Sequence, residues 1–283
     1  MIKLGLVGYP LGHSLSPKIH RTAFNHCGIE GIYTLFSIHS TNTKELNCLI
    51  GKIRSEDITG LNVTIPYKQT IISLLDDLTP RAENIGAVNT IYLKNNKLIG
   101  DNTDAPGFLA HVYALLSMEA KKSKIIKKAL VLGAGGAARA VAYSLVSDGW
   151  DVIVAARRIK QAQALIEQFP GHQSKLTGFA LQPDVLRSIL PDMRLVINAT
   201  PVGMSPNIDE SPWPKGVSFP HQAIFYDLVY NPRETKFVLD ARAAGLQAST
   251  GLGMLVEQAA LAFEIWTGYN VPRATLLSAV EDK

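Results

Sequence analysis

Between Lys127 and Arg158 the residue types and their spacing suit the chain to hold a dinucleotide. The apolar run Ala129–Leu132 leads into Gly133-Ala134-Gly135-Gly136-Ala137-Ala138. A helical repeat follows, with Ala138, Val141, Ala142 and Leu145 at i, i+3, i+4 and i+7. Asp148-Gly149 then turns the chain into a second apolar run, Val152–Ala156. Strand, glycine turn, helix and strand is the context that separates a dinucleotide fingerprint from a chance G-x-G. Gly133 permits the tight turn, and Gly135 lets the backbone approach a pyrophosphate. Ala138, in place of a third glycine, stays small enough for helix–strand packing. The helix N-terminus offers unpaired N–H groups and a positive dipole end to the phosphates.

The end of the second strand selects the dinucleotide. An NAD site places a carboxylate there to accept from the ribose 2′-hydroxyl. This chain has Arg157-Arg158 with Lys160 close behind, and no acid before Glu167. Planar guanidinium forks match phosphate oxygens, and one charge-assisted hydrogen bond contributes about 1.5–3 kcal/mol. That favours NADP. A basic turn that keeps a surface helix solvated is the other use of the same residues.

A second polar set lies at the expected strand ends of the first part of the chain. Ser14 and Ser16 follow strand one. Asn62, Thr64 and Lys68 end strand three and its turn, Asn89 interrupts a hairpin pattern, and Asn102-Thr103-Asp104 follows it. Hydroxyls, amides and a Lys/Asp pair can line a pocket for a small substrate with several hydroxyls and a carboxylate. Each has a plainer use as well. Ser16 before Pro17 and Asp104 before Pro106 are good helix N-caps, and Lys68 can be a solvated lysine. Together the two sets describe a nicotinamide oxidoreductase of a polar metabolite.

The elements that must position these residues alternate strand and helix. The pattern predicts strands over Ile2–Val7, Ile32–Ile38 and Ile58–Ile65, with helices over Pro17–Cys27 and Thr43–Ile53. Pro66 is placed at the first position of a short helix reaching Leu75. Gly86–Leu93 and Lys97–Ile99 read as a hairpin across Asn95-Asn96, an antiparallel piece at one edge of a βαβ-rich half. Asp104 opens the helix that leaves this half. Beyond the fingerprint come a helix at Gln161–Phe169 and strands at Leu176–Leu181, Arg194–Ala199, Phe225–Val229 and Gln247–Thr250. These complete about six strands of a doubly wound sheet. Thr200–Pro220, rich in Pro and Gly, reads as a site loop or mobile cover. Gly251-Leu252-Gly253 starts an apolar helix, Met254–Trp266, and a last helix begins near Pro272. With no strand after Thr250, these helices are expected to rejoin the first half. The expected fold is therefore α/β with two domains: a discontinuous βαβ-rich substrate domain, 1–104 with 253–283, and a Rossmann-type doubly wound parallel sheet, 105–252. A cleft between them is the expected ligand site.

Bulk properties narrow the class further. The 283 residues are 47% hydrophobic and 18% charged, an ordinary globular composition with ample material for a core. A net charge of +4, with no basic stripe carrying aromatics, argues against nucleic acid. Cys27 and Cys48 form no C-x-x-C motif or disulfide framework, which points to a reducing, cytoplasmic setting. No signal-peptide pattern, membrane-spanning apolar run or metal-ligand spacing is present.

At Gly60-Leu-Asn62-Val-Thr64-Ile-Pro66-Tyr-Lys68, Gly86-Ala-Val-Asn89-Thr90 and Asn102-Thr-Asp104-x-x-Gly107 the chain resembles the shikimate dehydrogenase family. The likeness continues, in order, through the glycine turn to Arg139, Asn198-Ala-Thr-Pro-Val-Gly203-Met204, Asp227-Leu-Val-Tyr230-Asn-Pro232 and Gly251-Leu-Gly253-Met254-Leu255-Val-Glu-Gln258. The resemblance implies reversible NADP-dependent reduction of 3-dehydroshikimate to shikimate, on the way to chorismate and the aromatic amino acids. It implies Lys68 and Asp104 as the catalytic pair, and Ser14, Ser16, Thr64, Asn89, Asp104, Tyr230 and Gln258 around the substrate. It also implies Gly133 to Ala138 on the pyrophosphate, Arg157 and Arg158 on the adenosine phosphate, and Leu228 and Gly251 beside the nicotinamide. Where the family often reads Asn-Arg-Thr after the second strand, this chain has Ala156-Arg157-Arg158. The main arginine stays, two polar contacts go, and a cation is gained. The rivals are a quinate/shikimate dehydrogenase using NAD and a non-catalytic ligand-sensing relative. No sequence feature chooses between monomer and homodimer.

Overall fold

In the computed structural model, which describes residues 1–119 and 126–281, the apolar run after Met1 forms β1 (Ile2–Gly8) and its last five residues are buried. The first unit continues with α1 (Ser16–Cys27), β2 (Gly31–Ser37), α2 (Thr43–Arg54), β3 (Gly60–Val63), β4 (Asp77–Leu78), α3 (Pro80–Ile85), β5 (Thr90–Lys94) and β6 (Lys97–Asp101). Their sheet has the order β2-β1-β3-β5-β6-β4. β1 pairs in parallel with β2 and β3, β5 is antiparallel to both its neighbours, and β4 is parallel to β6. The apolar stripe of α2 (Leu46, Leu49, Ile50, Ile53) packs with Val7, Leu61, Val63 and Ile91, the i, i+3, i+4, i+7 spacing bringing these side chains to one face. Phe24 of α1 meets Phe263 edge-on.

Three local expectations need correction. Pro66 does not start a helix. It follows a cis peptide in a turn closed by Tyr67 N–H donating to Thr64 O (2.9 Å), the geometry of a cis-proline turn, and the one-turn helix waits until Thr70–Leu74. Gly86 does not start a strand. It ends α3 in the left-handed region (φ 66°), its N–H donating to Ala82 O, so the strand begins at Thr90. The hairpin, turned by Asn95 and Asn96 at positive φ, lies inside the sheet with β4 outside it, not at the edge.

The chain divides into two compact units, Met1–Gly107 with Leu255–Lys283, and Phe108–Met254. α4 (Asp104–Glu119) and α9 (Leu252–Thr267) each carry the chain from one unit to the other, and α10 (Arg273–Glu281) packs on α1. The second unit holds β7 (Lys128–Leu132), α5 (Gly136–Ser147), β8 (Asp151–Ala156), α6 (Ile159–Ile166), β9 (Leu176–Ala180), α7 (Pro183–Ile189), β10 (Leu195–Asn198), β11 (Ile224–Asp227), α8 (Lys236–Ala243) and β12 (Ala248–Ser249). All its strands are parallel, in the order β12-β11-β10-β7-β8-β9, the doubly wound arrangement that reverses at β7. Alternation along β7 sends Ala129 and Val131 to the face packed by Phe108, Val141 and Leu145, and Leu130 and Leu132 to the face packed by Leu186, Phe237 and Val238. Among the described residues no helix is long and apolar enough to cross a membrane.

One polar knot ties α4 to the end of α5. The Asp148 carboxylate accepts from Tyr113 Oη, from Lys127 Nζ (2.8 Å) and from the indole N–H of the fully buried Trp150 (3.1 Å). Burial alone would raise the Asp148 pKa, but the bonds from Lys127 and Tyr113 outweigh it and hold the carboxyl below its usual range. Asp148→Ala should lower stability by about 1–3 kcal/mol, the range for stranding buried donors, read as a fall in Tm. Because the folded pKa is depressed, the stabilisation is complete at neutral pH and fades as pH falls below about 4. An Asp148→Ala deficit that is equally large in acid would contradict the assignment.

Candidate active site

The strand directions of the first unit gather its polar residues at one edge. β1, β3 and β6 run the same way, so the segments leaving their C-terminal ends emerge together, while β5 runs back and begins there. Ser14 and Ser16 follow β1, Thr64 and Lys68 follow β3, Asn89 precedes β5, and Asn102 to Asp104 follow β6. Lys68 Nζ donates to Asp104 Oδ2 at 2.6 Å across a separation of 36 residues. Side-chain exposures of 31% and 13% leave the pair partly desolvated but within reach of a ligand. Val88 N–H donates to Lys68 O (2.7 Å), fixing the backbone under the ammonium.

The plainer uses of these residues are not the ones the fold adopts. The first turn of α4 is capped by Asn102, whose Oδ1 accepts from Ala105 N–H (3.1 Å), so the Asp104 carboxylate is left for Lys68. Ser16 is the first residue of α1 rather than its cap; Leu15 holds the cap position and makes no side-chain cap bond. Asn89 is fixed from every side. Its Oδ1 accepts from Thr103 N–H (2.7 Å), and its Nδ2 donates to Thr103 Oγ1 (3.0 Å) and Gln258 Oε1 (3.4 Å). Ser14 Oγ accepts from Ser16 N–H (3.3 Å), and Thr64 packs its methyl where a Cβ on Gly8 would fall. The structure thus pairs Lys68 with Asp104 and, in a separate set of bonds, Asn89 with Gln258, with Ser14, Ser16 and Thr64 on the same sheet edge.

The glycine turn of the second unit is built as its composition requires. Gly133 adopts φ 107°, and a Cβ there would meet Thr200 and the Ala199 carbonyl at about 3 Å, so only glycine suits. Gly135 and Gly136 have nothing within 4 Å of a notional Cβ, and α5 begins with no side-chain cap. Gly135, Gly136 and Ala137 are exposed, Ala134 is half-buried and Ala138 is fully buried under the helix. Free N–H groups, open space and a dipole end together fit a pyrophosphate. At the end of β8, Arg157 and Arg158 are both exposed and follow Ala156, where an NAD site has its acid. Those groups fit a 2′-phosphate. Gly251 approaches Leu228 so closely that a Cβ would stand 2.3 Å from its carbonyl oxygen, and Tyr230 is half-buried just beyond. Tyr230 belongs to the second unit; the other expected substrate residues belong to the first.

Sequence reasoning missed the polar knot beside Leu228. Asn198 and Asp227, in register at the ends of β10 and β11, bond at 2.9 Å. Asn198 Oδ1 accepts from the Thr200 N–H and hydroxyl, and Asp227 accepts from Val229 N–H and the Thr235 hydroxyl. The signal was there: two adjacent apolar strands, Leu-Val-Ile-Asn and Ile-Phe-Tyr-Asp, each ending on a buried polar residue. Asn62, Asn102 and Thr103 were noticed, but their roles as bridge, cap and clamp were not. Among the described residues no three His, Cys, Asp or Glu side chains gather as metal ligands.

Comparisons with known proteins agree along the chain. Residues 6–91 match the model of the shikimate dehydrogenase substrate binding domain, 117–234 that of shikimate / quinate 5-dehydrogenase, and 251–281 that of the shikimate 5'-dehydrogenase C-terminal domain. The shikimate dehydrogenase (NADP(+)) of Methanopyrus kandleri is 39% identical, covering 98% of this chain and 94% of its own. The Thermus thermophilus shikimate 5-dehydrogenase, solved with NADP(H) and shikimate, superposes with a TM-score of 0.86 at 37% identity, covering 99% of each chain. The Listeria monocytogenes shikimate 5-dehydrogenase, solved with shikimate and NAD, gives 0.88 at 32% identity, covering 99% and 96%.

Burial pushes the Asp227 carboxyl up to about 6, only partly offset by the bonds it accepts from Thr235, Val229 and Asn198. An unfolded aspartate titrates near about 3.9. Folding therefore favours the protonated form, and this contribution is present below about pH 4 and lost as pH rises through 6. Asp227→Asn has no such loss. Its stability relative to wild type should improve between about pH 4 and 7, by at most about 3 kcal/mol for a shift of this size. Denaturant midpoints at four pH values test this, and parallel pH profiles for the two proteins would count against it.

Proposed function

The chain belongs to the shikimate dehydrogenase family, and on that premise we propose that it catalyses the reversible NADP-dependent reduction of 3-dehydroshikimate to shikimate, a step towards chorismate and the aromatic amino acids. The observation that carries the reading is the 2.6 Å pair of Lys68 Nζ and Asp104 Oδ2, set among hydroxyl and amide side chains at one sheet edge. An ammonium held by a carboxylate in such surroundings has a proton to give to a ketone oxygen.

When bound, the nicotinamide supplies or takes a hydride at the ring carbon that bears the oxygen. In reduction the Lys68 ammonium donates a proton to that oxygen; in oxidation the Lys68 amine takes it back. Asp104 orients the ammonium and accepts from a substrate hydroxyl. Ser14, Ser16, Thr64, Asn89 and Gln258, with Tyr230 from the second unit, hold the remaining hydroxyls and the carboxylate. Gly133 to Ala138 cradle the pyrophosphate through backbone N–H groups, Arg157 and Arg158 pair with the 2′-phosphate, and Leu228 and Gly251 flank the nicotinamide. Residues 1–104 with 253–283 form the substrate domain and 105–252 the NADP domain. Two free cysteines suit a reducing cytoplasm.

Following cofactor reduction with shikimate and quinate, each with NADP+ and NAD+, tests the whole reading. Shikimate with NADP+ should be the fastest pair. A quinate/NAD+ preference would favour the rival dehydrogenase, and no turnover with any pair would favour a sensor. Lys68→Ala should lower kcat by about 10²–10⁴-fold, the range for a lost general acid–base, with a much smaller change in the shikimate KM. A collapsed KM with normal turnover would reduce Lys68 to a binding residue. Arg157→Ala should weaken NADPH by about tenfold or more while NADH changes little; equal losses would remove the 2′-phosphate assignment.

A further inference from the structure

Beneath the substrate edge of the first unit lies a ring pair with no role in the reading above. His20 is fully buried, and neither of its ring nitrogens has a hydrogen-bond partner. It lies flat against Tyr33, with ring centroids 4.2 Å apart and planes 6° from parallel. Phe263 and Trp266 pack around the same imidazole at 6.0 and 5.7 Å. Burial lowers its pKa to about 3, against a slight opposing pull from Asn62, so the ring is neutral at any working pH. A buried polar ring without partners is unusual enough to require a reason. Its contact with Tyr33 supplies one, because a flat stack fixes the plane of the phenol, whose terminal torsion is otherwise broad.

The Tyr33 hydroxyl stands at a junction. It donates to Asn62 Oδ1 at 2.8 Å. With its oxygen so held, the Asn62 amide can only turn its NH₂ the other way. That group donates to the Asn89 carbonyl (3.0 Å) and to Thr90 Oγ1 (3.3 Å). The Thr90 hydroxyl in turn donates to Asn89 Oδ1 (3.0 Å). One phenol therefore sets, through Asn62, the hydrogen-bonding sense around Asn89, a group that the proposed function assigns to the substrate.

We infer that Tyr33, held in plane by His20, is a positioning residue for the substrate: it touches no reacting atom, but through Asn62 fixes the direction of Asn89. The inference rests on the assignment of Asn89 to a polyhydroxylated carboxylate such as shikimate. It predicts an effect on substrate affinity and none on the cofactor, whose proposed contacts lie in the second unit.

Tyr33→Phe keeps the stacked ring and removes only the hydroxyl. Its shikimate KM should rise about tenfold, the size of one hydrogen bond lost from a bound network, with kcat within about threefold and the NADP+ KM unchanged. His20→Ala, which frees the phenol plane, should give the same KM-selective defect. Phe24→Leu serves as the structural control. It packs on Phe263 in the same layer outside the hydrogen-bond network, and should lower Tm while leaving the shikimate KM unchanged. A Tyr33→Phe shikimate KM within twofold of wild type, or a Phe24→Leu defect of equal size, overturns the positioning role alone. A wild-type chain that does not turn over shikimate overturns the functional reading, and this inference falls with it.

Discussion

The contact between Lys68 and Asp104 depends on a strand order that brings two distant segments to the same edge. β3 and β6 point the same way with β5 reversed between them, so their C-terminal ends lie two strand spacings apart, about 10 Å. A lysine side chain on the turn after one strand spans that gap to the first helical turn after the other. The reversed strand adds a third segment, since the residue that opens β5 begins where its neighbours finish. Ligand sites in open α/β sheets gather at the carboxyl ends of parallel strands. Here a single antiparallel insertion places Asn89 at that same edge.

In the second unit the determining constraint is the small size of residues around the glycine turn. Side chains on Gly135 or Gly136 would occupy the space in front of the uncapped N-terminus of α5, and a larger residue than Ala138 would push that helix off β7. Behind this turn, Asn198 and Asp227 close the ends of β10 and β11 with one another, so the loops leaving both strands start from fixed positions. Gly251 then abuts the Leu228 backbone, a contact available only to a residue without a side chain.

Long apolar runs and glycine spacing made most of this legible in the sequence. The six-stranded second sheet, the α1 and α2 stripes and the Asn95-Asn96 turn are all local patterns of known period. What was not legible depended on tertiary choice. Ser16 and Asp104 are chemically ideal caps, yet neither caps its helix: Asp104 is taken by Lys68, 36 residues away, and the cap position before α1 falls to Leu15. Pro66 fits a helix start or a cis turn equally well, and Gly86 a strand or a helix end. The short helices α3, α7 and α8, at 6 to 8 residues, are too brief for their apolar spacing to declare a period. Thr79-Pro80 and Thr235 nevertheless carried the start signals for two of them. His20 carries no signal in the sequence, because its meaning lies in what it stacks on.

The layering of charge under the sheet edge follows from the energetics of burial. The ion pair sits at the top, where both partners keep some solvent, because full burial would cost more in desolvation than the pairing returns. The groups of the Tyr33–Asn62–Asn89 network are neutral (amides, hydroxyls, a phenol and an uncharged imidazole), while the buried Asp101 carboxylate at the end of β6 is held by two Arg81 nitrogens and the Thr79 hydroxyl. Neutral groups can be buried almost completely if their bonds are met, and in a low-dielectric setting each met bond stiffens its neighbours. Asn62 (5%), Asn89 (2%) and Thr103 (0%) are buried to that degree, and all three are bonded. If Lys68 carries the proton as proposed, this bonded network keeps Asn89 fixed beneath it while the proton moves. An apolar layer in its place would leave the Asn89 amide free to rotate.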